Sequence, residues 1–465
     1  MISFITRLTA QRWFWFIFTT LLFGVHIFTS RFHEQAYDAL GYWDLTKQLY
    51  NEGSFSLLKF NSSLRGYLLP LLYVPVLALS KSQTVVTDVT LIKALGALLA
   101  GLLFGVQLPK LWQKSSGVSV SPVRRLLLIG AAFVLWRDYF NYTLTDFPAV
   151  AGLVGALCLL LPHPTLVRSL LAGVLIAGAI NIRPVYLVLL PVVLLLGIGV
   201  STRAEGYKGI AQFLMLFLIG FGLICLPQWV INTQLFNTPR PLVIGIDHND
   251  PTMVASGDLY LLKITDGFFV QKYETSIAAD HPHPQVFYRD PAGAALLARD
   301  STGKIDSYSE YGSFILAHPL DMLALNLRHV FNGLDVLYPT PYLFRVYTST
   351  AALAWVNYTL LFAASVLIIK RVRYLRPIQI VLLSIILLPA LITIPMPMEC
   401  RYVLPMHLLL ITIACFGWPA TWSWQHLEGR RLPLLLTYLL FISACYMLSA
   451  STQMQLDTGA KLLSN

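Results

Sequence analysis

Charged residues are scarce in this chain of 465 residues, where they make up 12% of the sequence against 56% for hydrophobic residues. A soluble domain contains about 25% charged residues. The shortfall excludes an ordinary soluble protein, because too little polar surface remains to face water. Apolar runs of about 16–22 residues recur along the chain, near the length that crosses the hydrocarbon core of a bilayer as a helix. The composition therefore indicates an integral membrane protein.

Other features that the sequence lacks limit further which kind of membrane protein this is. Of the five cysteines, Cys158, Cys225, Cys415 and Cys445 lie inside apolar runs, so the sequence has neither a disulfide framework nor a zinc pattern. The first apolar run, from Trp13, is not followed by a small-residue cleavage site, and we predict a retained helix. The net charge of +10 resides mostly in short loops, which argues against a nucleic-acid partner. The inverted repeat typical of many transporters is also missing.

We predict an all-α polytopic membrane protein with about eleven transmembrane helices. The predicted spans are 12–29, 91–108, 125–140, 147–162, 168–182, 185–200, 210–231, 346–369, 377–395, 402–418 and 433–450. With the N-terminus in the cytoplasm, the short outer loops carry only Arg137, Arg183 and Arg401, as the positive-inside rule requires. The run Leu68–Ser80 contains two prolines and is too short to span, so we predict a re-entrant or surface-lying segment there.

These spans divide the chain into three parts. Residues 1–231 form an N-terminal transmembrane module whose first outer loop is 30–90, residues 232–345 form a large extracytoplasmic loop, and residues 346–465 form the C-terminal transmembrane helices. We expect amphipathic helices beside the membrane and a mixed or helical structure in the large loop. The lack of a disulfide framework favours the bacterial inner membrane, with the active face in the periplasm.

Six charged residues stand out because all are predicted at the outer face, although they come from separate segments. They are Asp38, Arg65, Asp146, Arg183, Glu399 and Arg401. Each has an ordinary explanation, such as a helix N-cap for Asp146 or a local ion pair between Glu399 and Arg401. Together, however, acids and arginines at one lipid–water boundary suit a substrate with a lipid tail and an anionic headgroup. Arginine binds phosphate with two N–H groups, and a carboxylate accepts a hydroxyl proton as general base.

An amphipathic helix is predicted in the first outer loop. Tyr42, Leu45 and Leu49 have helical spacing, as in a helix that lies on a membrane. Asp38 and Tyr42 are four residues apart and share a face. Asp44 lies about 120° around the helix from Asp38, so the two aspartates cannot act as an adjacent pair.

At these residues the chain resembles the GT-C superfamily of polytopic glycosyltransferases, which includes protein O-mannosyltransferases, aminoarabinose transferases of lipid A and O-antigen glucosyltransferases. The family pattern has an acid and a tyrosine after the first helix, which correspond to Asp38 and Tyr42. A second outer acid before a span corresponds to Asp146, and an Arg-Pro pair that opens a helix corresponds to Arg183 and its following proline. Many members have Asp-Glu or Asp-x-Asp in the first loop, whereas alanine follows Asp38. We therefore assign no residues to a metal site, and the sequence leaves open whether the protein uses a divalent metal.

The resemblance implies inverting transfer of a sugar from a polyprenyl-phosphate-linked donor to an acceptor hydroxyl at the outer face. It implies that Asp38 is the general base and that Asp146 orients the acceptor or the catalytic groups. The implied substrate-binding residues are Tyr42, Arg65, Arg183, Glu399, Arg401 and Tyr402. The arginines among them would neutralise the lipid phosphate as it leaves. The expected partners are the lipid-linked donor, a glycan, lipid or protein acceptor, and membrane lipids.

Three other functions stay open from the sequence. A flippase or transporter of lipid-linked sugars would carry charged residues along a path to the cytoplasmic side, and the predicted spans have few. A polymerase or ligase would act on longer lipid-linked chains. A non-catalytic assembly subunit would tolerate replacement of Asp38, whereas an enzyme would not.

Overall fold

A computed structural model describes residues 11–82, 87–246, 258–279, 281, 283–300, 303–346, 350–418 and 431–457. The first residues of the predicted cytoplasmic N-terminus and parts of the predicted loops 30–90 and 232–345 lie outside the described residues. The chain folds as two compact units. The first unit comprises Met1–Ala255 and Leu375–Pro389, and the second comprises Ser256–Tyr374 and Ala390–Asn465.

Helices dominate the chain up to residue 246. They are α1 (Arg12–Thr29), α2 (Tyr37–Leu49), α3 (Leu68–Ser82), α4 (Asp88–Ala100), α5 (Leu108–Ser116), α6 (Pro122–Trp136), α7 (Asp146–Leu160), α8 (Leu166–Ile182) and α9 (Leu190–Phe236). A π-helical segment, Gly101–Gln107, joins α4 to α5, and 3-10 turns occupy Arg137–Asn141 and Pro184–Leu189. A kink at Gly206 divides α9 into two helices. The strands β1 (Tyr50–Asn51) and β2 (Ser54–Phe55) form a small hairpin.

The rest of the chain mixes helices and strands. The helices are α10 (Leu259–Phe269), α11 (Pro291–Asp300), α12 (Tyr308–Ala317), α13 (Pro319–Leu334), α14 (Ala351–Arg371), α15 (Pro377–Thr393), α16 (Leu404–Phe416) and α17 (Arg431–Gln453). The strands are β3 (Val270–Ser276), β4 (Gln285–Arg289) and β5 (Tyr342–Leu343). They form a sheet in the order β4-β3-β5, in which β3 is antiparallel to β4 and parallel to β5.

Each predicted span coincides with a helix, because long apolar runs can bury their backbone polar groups in lipid only as helices. Among the described residues, five helices are long and apolar enough to cross a bilayer. They are Asp88–Ser116, Pro184–Arg203, Gly206–Phe236, Ala351–Tyr374 and Leu432–Gln453. The protein is therefore an α-helical membrane protein. The count of eleven spans is not confirmed, because the remaining apolar helices have only 10–17 residues.

A helix, α2, forms where an amphipathic helix was predicted in the first outer loop, whereas its position on the membrane stays a prediction. It buries Trp43, Leu45 and Leu49, and the two leucines pack in a cluster with Phe60 and Tyr67. The proline-containing run that we predicted as re-entrant forms α3, a helix of 15 residues with Pro75 inside it. Its helical form is now known, whereas its depth in the membrane stays a prediction.

Aromatic rings fix the start of α7 in the first unit. Phe147 stands 4.5 Å from Phe140 and 6.1 Å from Phe104, measured between ring centroids. Phe23 of α1 contacts both of those neighbours. Because Asp146 is the residue before Phe147, this packing holds the aspartate backbone in place at the end of an apolar helix.

Candidate active site

Asp38 and Tyr42 share a face of α2, as their spacing predicted, and both contact Arg65. Nη2 of Arg65 donates to Oδ1 of Asp38 at 3.1 Å. The guanidinium carbon lies 4.8 Å from the centroid of the Tyr42 ring, in a cation–π geometry. Gly41 makes this arrangement possible, because a Cβ at that position would collide with Nη1 of Arg65. Asp44, in contrast, pairs with Lys47 at 2.9 Å, so the two aspartates of α2 have separate partners.

Asp146 and Arg183 form a second ion pair in the same unit. α7 begins at Asp146 and α8 ends just before Arg183, and Nη1 of Arg183 contacts Oδ1 of Asp146. The Asp146 side chain is 0% exposed and that of Arg183 is 13% exposed. A charge in an apolar setting is costly unless it is paired. The pair therefore ties the start of one helix to the end of the next.

Hydrogen bonds connect the two ion pairs into a closed ring. Thr143, just before Asp146, donates from Oγ1 to the carbonyl oxygen of Ala39 at 2.6 Å. On the other side, the backbone N–H of Leu68 donates to Oδ1 of Asn181 at 2.9 Å. The segments that carry Asp38, Arg65, Arg183 and Asp146 thus each contact the next one. The fold therefore brings Asp38 to Arg65 and Asp146 to Arg183, on segments that contact one another.

A chain of buried amides supports this ring and was not selected from the sequence. Asn181 donates from Nδ2 to Oε1 of Gln228 at 2.9 Å, and Gln228 donates from Nε2 to Oδ1 of Asn232 at 2.9 Å. Gln228 and Asn232 are fully buried. The signal that could have identified them is a pair of uncharged amides four residues apart within an apolar helix. Gln228 and Asn232 were not selected as candidate site residues, because the selection rested on charged residues.

The remaining predicted residues lie in the second unit. Nε of Arg401 is 2.7 Å from Oε2 of Glu399, so the local ion pair is present, and both side chains are buried. The guanidinium carbon of Arg401 lies 5.9 Å from the ring centroid of Tyr402. The Tyr402 hydroxyl contacts the hydroxyl of Tyr273 on β3.

The second unit also holds a buried charge cluster that the sequence analysis missed. Nζ of Lys272 is 3.5 Å from Oε1 of Glu274 and 3.5 Å from Oδ2 of Asp335. Asp335 accepts further hydrogen bonds from Tyr358 at 2.6 Å and Ser449 at 2.8 Å. In the sequence these charges lie in the predicted large extracytoplasmic loop, 232–345, and none of them was selected as a candidate site residue.

The charges of this cluster shift one another's protonation. Burial disfavours the charged form of Lys272, but the carboxylates of Asp335 and Glu274 outweigh it and raise the pKa of the lysine. Burial raises the pKa of Glu274 to about 7, against the lowering effect of Lys272. The Glu274 carboxyl group therefore changes between its protonated and its ionised form near neutral pH, whereas Lys272 stays protonated.

Two further tests bear on the site. Within the described residues, no group of three or more His, Cys, Asp or Glu side chains could hold a metal ion. No protein-family model matches the chain, and no curated protein or solved structure matches it either.

Proposed function

We propose that the protein is a multi-pass membrane glycosyltransferase that moves a sugar from a polyprenyl-phosphate-linked donor to an acceptor hydroxyl. The observation that carries the proposal is the pair of ion pairs, Asp38 with Arg65 and Asp146 with Arg183, on chain segments that hydrogen-bond to one another. A carboxylate that can act as general base and arginines that can bind a leaving phosphate are the groups that this reaction needs. The resemblance to the GT-C superfamily supports the same reaction, with about eleven spans and the site facing the periplasm of a bacterial inner membrane.

Asp38 is the proposed general base. Its side chain is 46% exposed, so an acceptor hydroxyl can reach it. As the acceptor oxygen bonds to the anomeric carbon, its proton passes to the Asp38 carboxylate. The bond between the anomeric carbon and the phosphate oxygen breaks, and the lipid phosphate leaves with that electron pair. Attack opposite the leaving group inverts the anomeric centre.

Arg65 is the proposed contact for the leaving phosphate. One of its N–H groups binds Asp38, and in the described part of the chain its other guanidinium N–H groups have no side-chain acceptor. The side chain is 25% exposed and rests on Tyr42, which orients it. A fixed guanidinium stabilises the negative charge that builds up on the phosphate in the transition state.

Asp146 is proposed as a positioning residue, because a fully buried carboxylate cannot touch the acceptor. It holds Arg183, the second cation of the ring, whose side chain reaches the surface only partly. In the second unit, Arg401 and Glu399 are buried and pair with each other. Tyr402 is half-buried, and the assignment of these three residues as substrate contacts rests on the resemblance alone.

The test uses a matched pair of variants on the same helix. Purified protein in lipid nanodiscs is incubated with a panel of polyprenyl-phosphate hexoses, and release of the lipid phosphate is measured. We expect Asp38→Asn to lower the rate about 100- to 10,000-fold, the usual contribution of a general base. Asp44→Asn is the control, since the Asp44 side chain is 50% exposed and pairs with Lys47 on the same helix. A folded Asp38→Asn protein that transfers sugar at the normal rate would remove the proposal.

A further inference from the structure

Exposed leucines form a row along α13 in the second unit. Leu320, Leu323 and Leu327 are each more than half exposed, and Leu316, near the end of α12, is 83% exposed. At 100° per residue, the three leucines of α13 lie within about 60° of arc on the helix surface. A contiguous row of exposed apolar side chains marks a surface that binds a partner or a membrane, whereas scattered ones are ordinary. We call these four residues the leucine stripe.

The face of α13 opposite the leucine stripe packs against the protein. It buries Met322, Leu325 and His329, which lie about 140–200° around the helix from Leu320. Met322 and Leu325 belong to an apolar core that also contains Phe268 of α10. Because this core holds α13 by one face, the stripe points away from it.

The charges of α13 have partners within the same unit. Asp321 is 3.1 Å from Nη1 of Arg299 on α11, and Nη2 of Arg328 is 2.8 Å from Oδ2 of Asp290. Asp321 and Arg328 share one flank of the helix, about 80–100° from Leu320. The helix therefore has an apolar surface, a charged flank and a buried face, which is the pattern of an amphipathic helix that lies on a membrane.

The C-terminal end of α13 adjoins helices that are long enough to cross a bilayer. Phe331 lies four residues after Leu327, so it continues the leucine stripe by one turn. It packs against a cluster formed by Ala354 and Tyr358 of α14 with residues of α17. Both α14 and α17 are long and apolar enough to span. Nδ2 of Asn357, on α14, also donates to the carbonyl oxygen of Leu334, where α13 ends, at 2.7 Å.

We propose that α13 is an interfacial helix whose leucine stripe inserts into the leaflet next to the first turns of α14. The bilayer is the occupant because the stripe continues through Phe331 onto the membrane-crossing helices, where lipid already covers the surface. The inference goes beyond the proposed function and does not depend on it. It gives the core formed by α10 to α13 a fixed seat on the membrane surface.

The stripe should recognise acyl chains and not a charged headgroup. Interfacial helices that depend on anionic lipids carry lysine and arginine on their polar face. On α13 the single arginine is balanced by the single aspartate, and each has a partner in the protein. Insertion should therefore be the same in a zwitterionic membrane and in an anionic one.

The experiment measures depth in the membrane, independently of sugar transfer. In full-length protein in phosphatidylcholine nanodiscs, Leu320→Cys, Leu323→Cys and Leu327→Cys are made singly and labelled with a nitroxide. The native cysteines are buried, so the introduced thiol is the one that reacts in the folded protein. We expect collisions with oxygen to exceed those with a water-soluble nickel chelate at all three positions, at a depth of about 5–10 Å below the headgroup boundary.

The matched control is Asp321→Cys, one residue from Leu320 on the same helix. The Asp321 side chain is 52% exposed and lies on the charged flank, so its label should collide mainly with the nickel chelate. Adding phosphatidylglycerol to the nanodiscs should leave the depth of the leucine labels unchanged.

Three results would overturn the inference. If nickel collisions dominate at all three leucine positions while the native thiols stay unlabelled, the stripe faces water in the folded protein. If dilution with unlabelled protein sharpens the spectra, a second copy of the chain covers the stripe. If the labels insert only when phosphatidylglycerol is present, the helix recognises headgroups. Each of these results leaves the glycosyltransferase proposal in place, because transfer is not the quantity measured.

Discussion

The two ion pairs of the first unit should differ sharply in what they contribute to stability. The side chains of Asp146 and Arg183 are 0% and 13% exposed, whereas those of Asp38 and Arg65 are 46% and 25% exposed. Removing one partner of a buried pair leaves an uncompensated charge and costs about 3–5 kcal/mol. Solvent screens an exposed pair, whose contribution is about 0–1 kcal/mol. We therefore expect Asp146→Asn to lower the free energy of unfolding several times more than Asp38→Asn.

Double-mutant cycles make the comparison quantitative. One cycle combines Asp146→Asn with Arg183→Gln, and the other combines Asp38→Asn with Arg65→Gln. In the buried cycle the double variant should be much more stable than the sum of the single losses predicts, because neither charge is left alone. In the exposed cycle the double variant should equal that sum to within about 0.5 kcal/mol.

The native cysteines provide the assay. All five are buried, so a thiol-reactive fluorescent dye labels them only as the protein unfolds. The temperature at which each variant becomes labelled, measured in the same detergent, then ranks the variants by stability. The reasoning is refuted if Arg183→Gln and Arg65→Gln shift the unfolding temperature equally, or if the buried cycle is additive.

Two further predictions test the site and the second unit. Gly41→Ala should lower sugar transfer at least tenfold, because the added Cβ displaces the Arg65 guanidinium. Gly130→Ala is the control and should leave the rate unchanged, since an added Cβ there meets nothing within 4 Å. Equal rates in both variants would contradict the arrangement at α2. Burial raises the pKa of Glu274 from its usual 4.5 to about 7, so the folded state binds a proton that the unfolded state releases. The stability that this proton contributes is lost as pH rises from 4.5 to about 7. The loss is at most about 1.4 kcal/mol per pH unit. Unfolding curves across that range should show this slope in the native protein and not in Glu274→Gln.

The positions of the helices were predictable because they depend on local composition. The predicted span 168–182 corresponds to α8, Leu166–Ile182, and 377–395 corresponds to α15, Pro377–Thr393. The helical spacing of α2 also placed Asp38 and Tyr42 on one face, where both contact Arg65. These features depend on residues a few positions apart, whose relation along a helix is set by its geometry.

Features that depend on distant segments were predictable only in part. The sequence analysis placed Asp146 and Arg183 at the same membrane face, but their pairing was not predicted. The buried cluster of Lys272, Glu274 and Asp335 was missed entirely, because in a polar loop a charge that will be buried looks the same as a solvated one.

By itself, the sequence determined that this is a helical membrane protein and where its apolar helices lie. Those properties follow from hydrophobicity and helix periodicity, which act over one or two turns. The tertiary structure alone decided which acid meets which arginine and which glycine leaves room for a guanidinium group. Such partners are separated by tens of residues or more, and only the packing of helices against one another brings their side chains within hydrogen-bond distance.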